Sequence, residues 1–253
     1  MLKKRVIPVL LLRDGRMVKG VEFQNYRDTG NPRTAVRIYS AQDADELVFL
    51  DIQATLESRS ALVEIVREAS TECFMPLAAG GGIKTIEDVR QLLSAGADKV
   101  VVTTAAVTTP RLVTEIAERY GAQCVVAGID FRTSAEGTKV WIRCGTEPTD
   151  IDPVAHAKQL VALGAGELFL NAIHRDGRMQ GYELDMATRV ASSVPVPVIV
   201  AGGAGHFMHL AELLRDTPAS AAACASLFHF GDNNPIRARS YLRNLGIPMR
   251  VLK

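Results

Sequence analysis

Residues 76–106 read PLAAGGGIKTIEDVRQLLSAGADKVVVTTAA, and this stretch holds one complete structural unit. A short apolar run leads into a glycine-rich loop. A helix-period segment then covers Thr85–Ala95, where Thr85 and Asp88 have the spacing of a capping box and Gly96 follows the end. A second apolar run closes the unit. The order predicts strand, helix and strand, with strands buried on both faces because their apolar residues are continuous rather than alternating.

The same alternation extends through the rest of the chain. Eight short runs rich in Val, Ile and Leu are predicted as strands: Val6–Leu12, Leu47–Ile52, Met75–Ala79, Val100–Thr103, Cys124–Asp130, Leu168–Ile173, Pro197–Ala201 and Ala221–Ala225. Helix-period segments lie between most of them, among them Pro110–Tyr120 and Pro153–Leu163, which begin at a proline and precede a glycine. Eight such units predict an α/β fold, a (β/α)8 TIM barrel, as one domain over residues 1–253. A doubly wound sheet is the alternative, but the chain has no Gly-x-Gly-x-x-Gly fingerprint.

The two halves of the chain repeat each other. Three features of the first half recur 121 residues later: Glu46-Leu47 as Glu167-Leu168, Pro76 as Pro197, and Gly81-Gly82 as Gly202-Gly203. Thr103-Thr104-Ala105 has a weaker counterpart in Ala225-Ser226. The common offset predicts two half-barrels related by a pseudo-twofold axis.

Each half carries a glycine-rich loop after one strand and a small or hydroxylated pair after the next. Backbone N–H groups exposed at such loops, next to helix N-termini, suit phosphate. The predicted phosphate-binding residues are Gly81, Gly82, Thr104, Gly202, Gly203, Ala225 and Ser226. The alternative is that both loops are only tight turns. Two sites at symmetric positions predict a ligand with a phosphate at each end.

Composition excludes several classes of protein. Lys and Arg number 29 against 28 Asp and Glu, so the net charge of +1 offers no basic surface for nucleic acid or membrane. The longest apolar runs fall short of the ~18 residues that a membrane span needs, and no signal peptide is recognisable, so a cytoplasmic location is expected. The four cysteines are widely spaced without a Cys-x-x-Cys pair, which favours buried structural thiols over a metal site.

Several segments together resemble one enzyme family across the whole chain. They are RVIPVLLLRDGRMVKGVEF, ADELVFLDI, PLAAGGGIKTIEDVRQLLSAGADKV, AGID, GAGELFLNAIHRDGRMQGYELD, PVIVAGGAG and ASLFHFG. They are similar to the cyclase subunit of imidazole glycerol phosphate synthase, and the sibling isomerase of histidine biosynthesis matches them less well. The resemblance implies a heterodimer with a glutaminase, whose ammonia crosses the barrel from bottom to top. There it reacts with a bisphosphorylated precursor, without cofactor or metal.

The resemblance also assigns residues. Four charges just before strands match the family's salt-bridge gate for ammonia: Arg5, Glu46, Lys99 and Glu167. Unrelated rim charges are the alternative for these four. Asp98 matches a position that touches the glutaminase. Asp130, at the end of the fifth strand, matches the general acid, and residues matching positions around the substrate are Lys19, Asp51, Thr104 and Asp176.

Three positions depart from the family pattern. Leu11 stands where the family has a catalytic Asp, and a leucine cannot transfer a proton. Asn171, in the predicted substrate site, replaces a hydroxyl residue, and His174 replaces an Asp. His174 could act as a substitute base, since histidine titrates near neutral pH; the alternative is a loop residue on the rim.

Three functions follow from this pattern. The first is a paralogue that keeps the barrel, the phosphate loops and the ammonia route and passes ammonia to a third protein that amidates a sugar for surface polysaccharide. The second is a true cyclase of histidine biosynthesis that works through Asp130 and a substitute base. The third is a non-catalytic phosphosugar-binding protein, against which the retained Asp98 and Lys99 argue. The catalytic carboxylate is lost at the C-terminal end of the barrel, whereas the gate residues are retained at the N-terminal end. This combination favours the paralogue.

Overall fold

A computed structural model describes residues 3–54 and 61–249 and confirms the predicted barrel. Its eight parallel strands are β1 (Arg5–Arg13), β2 (Leu47–Asp51), β3 (Leu77–Gly80), β4 (Lys99–Val102), β5 (Val125–Ser134), β6 (Glu167–Ala172), β7 (Val198–Ala201) and β8 (Ala221–Cys224). Each strand pairs with the next, and β8 pairs with β1 in parallel, which closes the sheet. The alternative of an open doubly wound sheet is therefore excluded.

A helix of nine or ten residues follows each strand among the described residues. These helices are Pro32–Ala41, Ala61–Ser70, Ile86–Ser94, Arg111–Tyr120, Pro153–Ala162, Leu184–Ser193, Phe207–Asp216 and Pro235–Asn244. The capping box predicted from Thr85 and Asp88 is present, since the Thr85 side chain accepts from the Asp88 N–H and the Asp88 side chain accepts from the Thr85 N–H. Within residues 3–54 and 61–249, no helix is long and apolar enough to cross a membrane.

The half-barrel repeat is visible in the backbone. Short helices follow β4 and β8, over Thr104–Thr108 and Ser226–His229. The residues before them have nearly the same backbone angles, φ −112° and ψ −75° at Thr103 and φ −118° and ψ −76° at Ala225. The two halves therefore build the same turn at the same level of the barrel.

Two antiparallel hairpins extend the C-terminal face, and the sequence patterns do not predict them. The first, Arg16–Val21 with Gln24–Gly30, continues from β1. The second forms because β5 runs past its predicted end at Asp130 and pairs with Gly137–Ile142. Both rise beside the mouth of the barrel, where the loops of a (β/α)8 barrel place its active site.

Alternate residues of the strands face the inside of the barrel. Their apolar members form a separate inner core cluster: Ile7, Val9, Leu11, Val18, Val48, Ala78, Val101, Val126, Phe169, Ile199, Ala201, Ala221 and Ala223. A larger cluster fills the space between the strands and the helices. The inner cluster separates the two ends of the barrel, so each end forms a distinct site.

Candidate functional site

The four charged residues at the N-terminal end form a closed ring. Arg5 donates to Glu46 at 2.6 Å and also to Glu167. Lys99 donates to Glu46 at 2.9 Å and to Glu167 at 2.8 Å. Each charge thus has two neighbours of opposite sign. The predicted gate residues come together as one network rather than as unrelated rim charges.

Burial makes this ring costly to break. Burial alone would lower the pKa of Lys99, but Glu46 and Glu167 raise it above its ordinary value. Burial raises the pKa of the Glu46 carboxyl, although Lys99 and Arg5 oppose the shift. The cations therefore stay protonated at neutral pH.

Asp98 lies exposed beside Lys99, and its side chain accepts a hydrogen bond from the Leu77 N–H at 2.8 Å.

Strand geometry connects the ring to the opposite end. Side chains alternate across a strand, so residues two and four positions after a ring residue also face the interior. On β6 this column is Glu167, Phe169 and Asn171; on β1, Val9 and Leu11 lie above Arg5. The columns that begin at charges thus pass through apolar side chains before they reach the C-terminal end.

Two adjoining cavities occupy the C-terminal end. The larger measures about 380 Å³ and lies over the first-half loop, with Asp51, Gly82, Thr104 and Asp130 in its wall. The smaller measures about 30 Å³ and lies over the second-half loop. Both are lined by five shared residues: Leu11, Phe23, Leu50, Phe169 and Asn171. The predicted site residues of both halves therefore lie around one continuous depression.

Asp130 and Asn171 form the polar centre of this depression. They are direct neighbours in the register of β5 and β6, which places both side chains on the inner face. The surrounding protein desolvates the half-buried Asp130 and raises the pKa of its carboxyl to about 7, although a hydrogen bond from Asn171 opposes the shift. A carboxyl with this pKa can give or take a proton at neutral pH.

Lys19 and Asp176 form a buried ion pair at the edge of the smaller cavity. Lys19 comes from the first hairpin and is 2% exposed, and its Nζ lies 2.5 Å from an Asp176 Oδ atom. Burial raises the pKa of Asp176, and Lys19 opposes the shift. Asp51 lies in the wall of the larger cavity and accepts from the N–H groups of Gln53 and Ala54.

The glycines of the two loops are required by close backbone contacts. A Cβ on Gly81 would lie 2.1 Å from the Asp51 carbonyl oxygen, and φ there is +104°. Its counterpart Gly202 has φ +89°, and a Cβ would lie 2.5 Å from the Ala172 carbonyl oxygen. Each loop therefore passes directly over the end of the preceding strand. Five of the predicted phosphate residues flank these turns in the cavity walls: Gly82, Thr104, Gly203, Ala225 and Ser226.

Leu11, which replaces a catalytic carboxylate, and His174, the predicted substitute base, lie in different surroundings. Leu11 is 8% exposed and belongs to the wall of both cavities. His174 is absent from the cavity linings among the described residues. Its Nδ1 accepts from the Thr133 N–H at 3.3 Å, and its Nε2 lies 3.1 Å from Glu183. One ring nitrogen is thus engaged with the second hairpin and the other with Glu183, which precedes the helix Leu184–Ser193.

The cavity also contains residues that sequence reasoning missed. Arg143 and Cys144 reach it from the second hairpin, and the Arg143 N–H donates to the Thr104 hydroxyl at 3.0 Å. Burial raises the pKa of the Cys144 thiol to about 12, so it stays neutral and donates to the Ile52 carbonyl at 3.0 Å. Gly145 indicates a turn beside these two residues, but the sequence does not show that the hairpin brings this turn to the mouth of the barrel. Across the described residues, no three His, Cys, Asp or Glu side chains are grouped as metal ligands.

A comparison with protein-family models gives a match over nearly the whole chain. The model is described as "Histidine biosynthesis protein" and matches residues 5–234. The match includes all eight strands, the charged ring and both glycine loops.

Proposed function

The chain belongs to the histidine-biosynthesis protein family, the family of the cyclase and isomerase barrels, and we propose that it acts as a cyclase-subunit-like barrel. In this proposal a glutaminase docks at the N-terminal face as the second subunit of a heterodimer. Its ammonia enters through the ring of Arg5, Glu46, Lys99 and Glu167 and reaches the cavities at the other end.

The single observation that supports this role best is the closed ring below an apolar interior. Four alternating charges hold one another in place and resist the passage of hydrated ions, whose desolvation is costly. Ammonia is small and neutral, so it can pass where Lys99 moves aside, and the apolar side chains above it exclude bulk water. A protein that only binds a phosphosugar needs no passage for ammonia, so the ring favours the ammonia route over that function.

The cavities support a phosphorylated ligand. We propose that the loop at Gly81-Gly82 with Thr104 binds one phosphate, and the loop at Gly202-Gly203 with Ala225 and Ser226 binds a second. Lys84 and Arg143 add positive charge to the wall of the larger cavity. Lys19, Asp51, Asn171 and Asp176 would then contact the part of the ligand between the phosphates, beside the proton donor Asp130.

The leucine at position 11 indicates that cyclisation is weak in this chain. It occupies the wall opposite the polar pair where the family has its second catalytic carboxylate, and general acid–base catalysis supplies ~10²–10⁴ in rate. We propose that the ammonia is instead passed to a third protein, which amidates a sugar used for surface polysaccharide. The retained ring and the altered cavity fit this division of roles.

The second candidate is a true cyclase of histidine biosynthesis, and the pKa of Asp130 near 7 favours it. In this candidate Asp130 carries out one proton transfer at neutral pH, and a substitute base carries out the other. His174 would have to leave Glu183 and Thr133 to take that role, because both of its ring nitrogens are engaged.

Deleting the gene in its native host discriminates these functions. Histidine auxotrophy would support the cyclase, whereas loss of amidated sugars from the surface polysaccharide with normal growth would support the paralogue. In vitro, the purified protein should raise glutamine hydrolysis by the glutaminase of its native host. A glutaminase that sediments alone and hydrolyses glutamine at the same rate with and without this protein would contradict both candidates.

A further inference from the structure

The last helix, Pro235–Asn244, carries a buried charge that packs against the turn before β2. Arg239 is 2% exposed, and its Nη1 lies 3.8 Å from a carboxylate oxygen of Asp45, whose side chain is also 2% exposed. The same Nη1 donates to the carbonyl oxygen of Asp43. Arg239 therefore holds the turn at Asp43 and Asp45 against the helix.

Stability alone does not explain this buried pair. Taking an arginine and a carboxylate out of water costs free energy, and their attraction offsets that cost only when the geometry is close. A separation of 3.8 Å is long for such a pair. Apolar side chains of similar volume often stabilise a fold equally well. We therefore asked which neighbouring groups the pair places.

The Asp45 carboxylate joins two strands below the level at which they pair. Its Oδ2 accepts from the Val6 N–H at 2.9 Å, and both groups are buried. The register between β1 and β2 begins further along the strands, at Val9 and Val48. The bond between Asp45 and Val6 therefore fixes the N-terminal ends of β1 and β2 relative to each other.

Each end of this bond is one residue away from the charged ring. Arg5 precedes Val6, and Glu46 follows Asp45. Val6 packs in the cluster between the strands and the helices, whereas Arg5 and Glu46 meet in the ring on the inner side. A displacement of Asp45 or Val6 would thus change the separation of Arg5 and Glu46.

We propose that Arg239 and Asp45 are positioning residues for the charged ring. Arg239 holds the Asp45 carboxylate in the layer between helix and strands, and Asp45 holds Val6, which sets the distance between Arg5 and Glu46. The last helix is thereby coupled to the gate. The consequence for ammonia passage rests on the proposed function, whereas the coupling itself is a property of the barrel.

Hydrogen exchange of the Lys99 ammonium protons, followed by ¹H–¹⁵N NMR on the full chain, tests the coupling. Lys99 donates to Glu46, so its protons lose protection when Glu46 shifts. Arg239→Met removes the counter-charge that the helix supplies to Asp45. Exchange should then become at least about fivefold faster, the effect of one lost hydrogen bond. Arg243→Met, the same change at an exposed position of the same helix, should leave exchange unchanged.

Two double variants show whether the bond to Val6 carries the coupling. Arg239→Met with Asp45→Asn removes both charges but keeps an oxygen for the Val6 N–H, so exchange at Lys99 should return to its original rate. Arg239→Met with Asp45→Leu removes the acceptor as well, so exchange should stay fast. The backbone amides of β7, which holds no ring residue, are the reference. A pair that only adds overall stability would change exchange in β7 as much as at Lys99.

Three results would overturn the coupling. The first is unchanged exchange at Lys99 in Arg239→Met, and the second is an equal change at Lys99 and in β7. If Arg239→Met fails to fold, the double variants decide, because each removes both charges of the pair. Equal exchange at Lys99 in these two variants is the third result.

The coupling and the proposed function can fail separately. If Lys99 responds as expected in a barrel that no glutaminase recognises, the coupling stands and the proposed function is contradicted. If the barrel stimulates glutamine hydrolysis but Arg239→Met leaves Lys99 unchanged, the coupling is overturned and the proposed function stands.

Discussion

Arg5 and Lys99 share the same two carboxylate partners, Glu46 and Glu167, and each cation bridges both carboxylates. Neither cation touches the other, and neither carboxylate is left with a single partner. Removing one cation therefore leaves two carboxylates, 2% and 7% exposed, with one remaining counter-charge. This makes the ring both the proposed gate and a feature that stabilises the N-terminal end.

Lys99→Met should lower the free energy of unfolding by about 1–3 kcal/mol. Removing one partner of a buried ion pair costs ~3–5 kcal/mol. A smaller loss is expected here because the Lys99 side chain is 20% exposed. The matched control is Lys139→Met, which breaks the exposed pair with Asp150 and should leave the free energy of unfolding almost unchanged, because water screens an exposed ion pair. Urea unfolding of both variants measures the difference, and equal losses would show that the ring adds no stability.

The barrel was predictable from the sequence because its signals are local. Continuous apolar runs, capping residues such as Thr85 and glycines such as Gly96 mark each strand–helix unit without reference to the rest of the chain. The half-barrel repeat also predicted a weaker correspondence between Thr103 and Ala225, at nearly the same offset, and the backbone angles of these two residues agree. The predicted start of β3 at Met75 lies two residues before Leu77, a difference in the range expected for strand ends.

The hairpins and their side chains were not predictable in the same way. Residues 131–151 carry mixed polar and apolar positions, and only pairing with the end of β5 makes them a hairpin. Arg143 and Cys144 thus enter the cavity through a contact that no local pattern encodes. The position of His174 is likewise set from a distance, because Thr133 and Glu183 determine where its ring nitrogens point.

Phe74→Ser should weaken docking of the glutaminase at least tenfold. Phe74 is 92% exposed in the turn before β3, on the same face as the charged ring and Asp98. A large aromatic side chain exposed beside an interface is a typical anchor for a partner. Asp98→Ala should weaken the same coupling, because an exposed carboxylate beside Lys99 is then lost.

The matched control for Phe74→Ser is Phe230→Ser. Phe230 is 52% exposed but follows the short helix at the opposite end of the barrel. Its replacement should leave sedimentation of the complex and stimulation of glutamine hydrolysis unchanged. Equal effects of the two changes, or none for Phe74→Ser, would place the docking surface elsewhere.

Inorganic phosphate should stabilise the protein against thermal unfolding through two loops. At ten times its Kd, a phosphate at each site adds about 1.4 kcal/mol. Thr104→Val should remove the contribution of the first loop and Ser226→Ala that of the second, with chloride at equal ionic strength as the control. The prediction is wrong if Tm is unchanged under saturating phosphate and phosphate-grown crystals show no density at either loop. Both loops would then be tight turns without a phosphate site.

Asp130→Asn should raise the free energy of unfolding at pH 8 by about 2–4 kcal/mol and change it little at pH 4. The folded-state pKa of Asp130 is near 7 and its unfolded value is about 3.9, so ionisation in the fold costs ~1.4 kcal/mol per unit of difference. Below pH 4 the Asp130 carboxyl is protonated in both the folded and the unfolded protein, so its burial costs little. As the pH rises to 7 the carboxyl ionises more readily in the unfolded protein, and the free energy of unfolding falls. Asn keeps an oxygen that accepts from Asn171.

Denaturant unfolding at pH 4, 6 and 8 checks this dependence. The control is Asp185→Asn, at an exposed helix position, which should shift stability by little at any pH. A gain for Asp130→Asn that is the same at all three pH values would show that the carboxyl is not desolvated.

Leu11→Asp should raise the rate of cyclisation above that of the unmodified protein. With ammonium salt at high pH and the family's bisphosphorylated precursor, no glutaminase is required, so the assay reports on the C-terminal cavities alone. Loss of one of two proton-transferring carboxylates predicts a deficit of at least ~10²-fold, while precursor binding remains. Leu11 borders both cavities together with Asn171, so an aspartate there would face the same ligand as Asp130.

The matched control is Leu11→Asn, which has the size and polarity of the aspartate but cannot transfer the proton. It should stay near background, whereas Leu11→Asp should gain at least tenfold in kcat with a smaller change in KM. Asn171 and His174, which also depart from the family pattern, would limit the gain. If the unmodified protein turns over the precursor at ~1 s⁻¹ or faster, an ordinary enzyme rate, it is a cyclase despite Leu11. In that case His174→Asn becomes the deciding variant, since loss of activity there would identify the substitute base.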